Sequence, residues 1–274
     1  MTAQRVTWAE VERLAARLSA RDWRLVGDLA RVRVATGSQL TRLQFHDLSP
    51  LTRDRVRRRV LTRLNNWHVV TMLERAVGGV RAGSAGAVYA LGTAGQRLSQ
   101  LAAANSLSMS RVRRPWTPSA LFLNHSLAVA ELYVQLIERT RSASFTVSHF
   151  EAEPMCWWPN GLGGFVKPDA FLVLSSNKYD ELAWLEVDRG TESLPTVKRK
   201  LNEYLDFVAR GQLGPRDVQP YVVVTTPDTK RRDALRQLVA SLPHVPEELF
   251  TVVRHDEATD HLNGLAVVVC REPP

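Results

Sequence analysis

The segment from Gln219 to Pro227, QPYVVVTTP, constrains the fold more than any other stretch. Its apolar run is strand-sized and shows no polar alternation, so it reads as a strand buried on both faces, which requires covering layers above and below a sheet. The surrounding sequence supplies those layers. SFTVSHFEAEP alternates as a strand does, GGFVKPDAFLVLS gives a second strand behind a glycine turn, and YDELAWLEVDRG gives a third. LFTVVRH and GLAVVVC read as terminal strands. Between them lie amphipathic stretches: residues 124–140, with Leu127, Ala130, Leu132, Val134 and Ile137 on one side; LPTVKRKLNEYLDFVARG, with Leu194, Val197, Leu201, Leu205 and Val208 inward; and TKRRDALRQLVASL. The order α-β-β-β-α-β-α-β predicts a three-layer α/β domain over residues 119–274.

The preceding residues follow a different rule. With 274 residues, 45% of them apolar, the chain is long enough for two domains with cores of their own. Residues 1–118 carry twenty arginines, no lysine and seven acids, a balance of +13, whereas the remainder sums to −5. A positive field confined to one part points to a nucleic-acid-binding module joined to something else. Within it, RDWRLVGDLARVRV is a helix, TGSQLTRLQF a short helix after a turn at Gly37 with a cap at Ser38, and SPLTRDRVRRRVLTRLNNWHVV a third helix with Pro50 in its first turn. On the third helix, 100° steps put Val56, Val60 and Leu64 on a packed side and Arg55, Arg58, Arg59 and Thr62 on a cationic one, with Arg53 and Arg63 nearby. Two strands around the loop Gly78–Gly86 come next, carrying Arg75 and Arg81. Three helices and a hairpin predict a winged helix-turn-helix over residues 1–104, its third helix in the major groove of double-stranded DNA and its hairpin along the backbone. Residues 105–118, rich in small polar residues, arginine and proline, read as a linker.

The chemistry concentrates in KPDAF and LEVDRG. Residues two apart on a strand share a face, so Glu186 and Asp188 point the same way, and Asp169 converges on Glu186 if the two strands are neighbours. Converging carboxylates suit Mg²⁺ or Mn²⁺, and a nearby basic residue can orient water and offset phosphate charge. The plain alternative is that these acids pair with Arg189 or Lys198, or sit at strand and helix ends.

An acid after proline, then a hydrophobic strand carrying Glu, within α-β-β-β-α-β, resembles the PD-(D/E)XK nuclease superfamily. LEVDRGTE followed by KRKLNEY, behind a winged helix, is similar to the replication-relaxation family of plasmids and integrative elements. The resemblance implies a restriction-endonuclease-like second domain in which Asp169 and Glu186 hold Mg²⁺ or Mn²⁺, with Glu131 on the preceding helix as an accessory acid. The superfamily lysine is expected two residues after Glu186, where this chain has Asp188. Lys198 and Lys200 on the next helix are the replacements, Lys200 favoured. Two functions are compatible with that resemblance: a Mg²⁺-dependent DNA-cleaving or nicking enzyme of mobile-element replication or transfer, or a non-catalytic replication or transcription factor whose second domain dimerises or recruits a partner.

Other patterns give less. RHDEATDHL reads as a polar loop between strands, and His125 as a surface residue before a helix. Trp157 and Trp158 with the glycines after them read as a hairpin tip that either packs or stacks on an unpaired base. GxGxxG, GxxxxGK[ST] and His-x-His are absent, which argues against nucleotide cofactors, an ATPase and tyrosyl transesterification. Cys156 and Cys270 form no disulfide or zinc framework. No signal peptide or membrane segment is expected, and the composition fits the cytoplasm.

Overall fold

The computed structural model describes residues 6–76, 86–102, 119–177, 179–246 and 249–268. The chain divides into two compact units, Met1–Val134 and Gln135–Pro274.

In the first unit the described elements are α1 (Trp8–Ala15), α2 (Ala20–Val32), β1 (Val34–Thr36), α3 (Gly37–Gln44), α4 (Pro50–Asn66), β2 (Val70–Ala76), β3 (Ala87–Leu91) and α5 (Thr93–Ala102). Capping boxes start three of these helices: Thr7 with Glu10, Ser19 with Asp22, and Thr36 with Gln39. In each, the hydroxyl accepts from the backbone N–H three residues on while that residue's side chain accepts from the cap N–H, which fixes the helix start from local sequence. The cap of α3 is therefore Thr36 rather than Ser38. Thr36 also ends β1, a three-residue strand in place of the helical continuation expected through Val34. Antiparallel pairing gives the sheet order β1-β3-β2. Leu25, Val26, Leu29, Leu40, Leu61, Leu64 and Leu98 are buried.

The long helix α6 (Ala120–Thr140) contains the boundary between the units. By length and composition it could cross a membrane, yet half of its most apolar window is buried within the protein, as expected of a core helix. His125 lies inside it rather than before it.

The second unit continues with β4 (Thr146–Ala152), the short hairpin β5 (Trp158–Pro159) and β6 (Phe165–Val166), β7 (Ala170–Ser175), β8 (Asp180–Val187), α7 (Leu194–Ala209), β9 (Tyr221–Thr226), α8 (Thr229–Ala240), β10 (Phe250–Arg254) and α9 (Ala258–Val268). Its five-stranded sheet has the order β10-β9-β8-β7-β4, antiparallel from β4 through β8 and parallel from β8 through β10. Parallel neighbours need crossovers, which α7 and α8 supply. Phe171, Val173, Trp184, Val222 and Val224 form one core with Val197, Leu201, Tyr204 and Phe207 of α7 and Leu235 of α8. The alternate residues Leu172, Leu174, Leu185 and Val223 are buried too, and α9 packs against β8 and β10.

Three expectations are corrected in this unit. GLAVVVC is not a strand: residues through Val268 belong to α9, and its remainder lies outside the described residues. RHDEATDHL is accordingly the last residue of β10, a turn over residues 255–257 and the first turn of that helix. Leu194 is exposed at the start of α7, where Tyr204 and Phe207 fill the inward face instead.

Candidate functional site

The acid cluster is built by strand register. Ala170 pairs with Leu185, and the Asp169 N–H donates to the Leu185 carbonyl at 3.0 Å, so Asp169 lies across from Glu186. Both continue the parity of the core face covered by α7, and both are buried, at 6% and 5% exposure. One α-helical turn places Lys200 and Tyr204 on the same side of α7. The Lys200 ammonium reaches Asp169 Oδ1 at 3.3 Å and pairs with Glu186 Oε2. The Tyr204 hydroxyl donates to Glu186 Oε1, and the Val187 N–H donates to Asp169 Oδ2 at 2.7 Å. Each carboxylate thus has one oxygen committed to its scaffold and one turned toward the same cation.

Burial dominates the electrostatics. It pushes the Glu186 carboxyl up to about 8, against the pull of Lys200 and with the help of the neighbouring Asp169 charge. Burial disfavours the Lys200 ammonium as well, but Glu186 and Asp169 outweigh it and hold the lysine protonated. Burial also raises the Tyr204 hydroxyl, reinforced by Glu186, so it stays a donor. Beneath the cluster, burial raises the Cys156 thiol, whose Sγ donates to the Pro168 carbonyl at 3.1 Å.

The remaining acids and bases singled out from sequence go elsewhere. Asp188 is held by Arg231 of α8, through Nε at 2.5 Å and Nη2 at 3.1 Å, and is not paired with Arg189 or Lys198. It shares the side of Glu186 but not its partner. Lys198 is exposed, two residues and about 200° around the helix from Lys200. Glu131 lies on α6 and is engaged by Gln39 and Arg42 of α3. The cluster is therefore Asp169, Glu186 and Lys200, with Tyr204 as a member that the motif pattern alone does not include. Its spacing of four from Lys200 was the available signal.

The donor set fits a hard divalent cation in part. Asp169 Oδ1 and Glu186 Oε2 converge on one point, as a Mg²⁺ site with few carboxylates and several waters would require. Among the described residues no three His, Cys, Asp or Glu side chains gather to hold a metal unaided. Lys200 stands between the two carboxylates, so an ion sharing both would have to displace its ammonium.

On α4, Arg55, Arg58, Arg59 and Thr62 form an exposed stripe. The packed side differs from the expected one. Arg57, Leu61 and Leu64 are buried, while Val56 and Val60 are only half-buried. Arg57 donates to the Gly37 carbonyl at 3.2 Å and the Thr41 hydroxyl at 3.0 Å, anchoring α4 to α3. Two further arginines have structural work. Arg63 chelates the buried Asp22 at 2.6 and 2.7 Å, and Arg53 donates to the carbonyls of His46 and Leu48. Arg75 falls on β2, whereas Arg81 with the rest of the loop over residues 77–85, and the linker through Pro118, lie outside the described residues.

No curated protein and no solved structure matches the chain. A family model does. It covers residues 26–222, from within α2 through the acid cluster to the start of β9, and on that match the chain belongs to the replication-relaxation family.

Proposed function

We propose that this protein acts in plasmid or mobile-element replication by binding double-stranded DNA through a winged helix-turn-helix in its first unit and cleaving phosphodiesters at Asp169, Glu186 and Lys200. The replication role rests on family membership. DNA binding rests on the element order α2-β1-α3-α4-β2-β3, which matches that of a winged helix, and on the exposed arginines of α4. Cleavage rests on one observation: two neighbouring strands bring a pair of buried carboxylates opposite one another with a helix-borne ammonium between them. This is the acid-acid-lysine set of a PD-(D/E)XK nuclease with its lysine moved to the next helix.

In this reading Asp169 and Glu186 would hold Mg²⁺ or Mn²⁺, which would supply Lewis-acid activation of water and neutralise phosphate charge. Tyr204 and the Val187 N–H fix the carboxylates from behind, which keeps one oxygen of each directed outward. Lys200, with 30% of its side chain exposed, turns from the carboxylates toward the substrate and stabilises charge on the phosphate or orients the attacking water.

The same geometry also favours a second reading, a non-catalytic factor. All four carboxylate oxygens already have protein partners, as in a structural ion-pair cluster. Supercoiled DNA incubated with Mn²⁺ separates the two. Nicking by the wild type that is lost in both Asp169→Asn and Glu186→Gln supports the enzyme. Absence of cleavage on supercoiled, linear and single-stranded DNA, with binding intact, supports the factor.

A further inference from the structure

Farther along α7 from the acid cluster, and lined by none of its members, lies an open cavity of about 400 Å³ between the β5-β6 hairpin and the C-terminal half of α7. It continues from the site in two ways. Lys167 on its wall is two residues before Asp169, and Glu203 and Asp206 come after Lys200 at successive turns of α7, with Arg210 capping its end and Asp206 about 9 Å farther along the helix axis. On the opposite wall stands Phe165, 49% exposed, with Leu162 of the hairpin tip 71% exposed beside it. The hairpin that presents them is firmly built. Asn160 Oδ1 accepts from the N–H groups of Leu162 and Gly164, the Trp158 indole donates to the Leu213 carbonyl, and Arg210 donates to the Asn160 carbonyl. Gly161 and Gly163 take left-handed φ of 74° and 79° in its turn, which glycine adopts without strain.

The charges of this cavity identify what it would take. Two cations and two acids leave it without net charge, and Glu203 and Asp206 would repel a phosphate. An uncharged ring with amino groups fits better: its face stacks on Phe165 while its amino hydrogens donate to the carboxylates. We propose that the cavity binds an unpaired nucleobase bearing an exocyclic amine, next to the phosphodiester held at Lys200, which makes single-stranded or locally melted DNA the substrate of this unit. The inference rests on the cleavage reading for its purpose, but not for its test.

Binding of fluorescein-labelled twelve-residue deoxycytidine and thymidine homopolymers to the full chain in EDTA tests it, since backbone charge is equal in the two and thymine has no amine. The wild type is expected to prefer the cytidine oligonucleotide about tenfold. Phe165→Ala, at an exposed position, is expected to weaken that oligonucleotide by about tenfold with an unchanged melting temperature, in line with the loss of one base stack. Glu203→Ala with Asp206→Ala is expected to bring the two affinities together. Photocrosslinking of an oligonucleotide carrying 5-iododeoxycytidine should map to residues 157–167. Equal affinities in the wild type, no effect of Phe165→Ala, or crosslinks confined to α4 would each overturn the proposal. Because metal is absent, a preference that depends on Phe165 in a chain that never nicks sinks the nuclease reading alone, and nicking without that preference sinks the cavity proposal alone.

Discussion

Replacing Lys200 by methionine keeps the length of the side chain and deletes its charge. In the folded protein this leaves Asp169 and Glu186 facing each other, 6% and 5% exposed, with no cation between them. Removing one partner of a buried ion pair costs about 3–5 kcal/mol, because the remaining charge is stranded, and at pH 9, above the raised Glu186 value of about 8, both carboxylates of the wild type are ionised. Lys200 retains 30% of its side-chain exposure, so water compensates part of the loss and the low end, about 3 kcal/mol, is expected. Neutralising a carboxylate should return much of it. Lys200→Met with Glu186→Gln is therefore expected to be more stable than Lys200→Met alone, a coupling of about 1–3 kcal/mol. Urea unfolding followed by tryptophan fluorescence reads all four members of the cycle, with Trp184 fully buried against Tyr204 as a reporter. The vacated cation position gives a second readout. Mn²⁺ at about a hundredfold excess over its dissociation constant should stabilise Lys200→Met by about 2.7 kcal/mol and do nothing for the double variant. A Lys200→Met protein as stable as wild type and indifferent to both Glu186→Gln and Mn²⁺ would refute the reasoning.

Three more perturbations have definite expected outcomes. Arg58→Ala with Arg59→Ala should leave the melting temperature unchanged and flatten the log-affinity versus log-salt slope for duplex DNA by about 0.9 for each phosphate no longer neutralised, whereas Arg57→Ala should unfold the first unit more readily, since Arg57 is buried on Gly37 and Thr41. Burial raises the Asp28 carboxyl despite its bonds from Gln44 and Tyr133. Its contribution to stability is then complete below the unfolded value of about 3.9 and is lost as pH climbs through the higher folded value. Asp28→Asn should abolish that fall and cost about 1–3 kcal/mol, because Gln44, its carbonyl held by Arg24 at 2.7 Å, presents an amide donor to the new amide. A Cβ at Gly95 would lie 2.0 Å from the Val69 carbonyl oxygen, so Gly95→Ala should force α5 away from the backbone just before β2 at a cost of about 1–3 kcal/mol in a thermal melt.

Local features were legible where a few consecutive residues suffice. The α4 arginines could be placed on a helix by period alone, the strand 146–152 by its alternation, and the strand 221–226 by its apolar run. Errors arose where a partner elsewhere in the chain decided the outcome. Residues 264–268 have strand-like composition but continue the helix that begins at Ala258. Val56 and Val60 lost the packed side of α4 to Arg57 because the carbonyl of Gly37 and the hydroxyl of Thr41 offered that guanidinium two acceptors. Arg63 and Asp188 were drawn into ion pairs with residues forty-one and forty-three positions away.

By itself, then, the sequence determined an arginine-rich helical module ahead of an α/β unit, and it named Asp169 and Glu186 as groups worth uniting, with Lys200 added by the family resemblance. Propensity and periodicity act over one or two turns of chain, and that range is enough for helices, strands and the face a residue occupies. Tertiary structure decided which charges meet. The register of β7 against β8 set Asp169 across from Glu186, the crossover of α7 delivered Lys200 and Tyr204 to both, and the docking of α8 removed Asp188 to Arg231. Those outcomes depend on strand pairing and helix docking between segments eighteen to forty-three residues apart, where low dielectric makes a carboxylate's nearest cation matter more than its nearest neighbour in sequence.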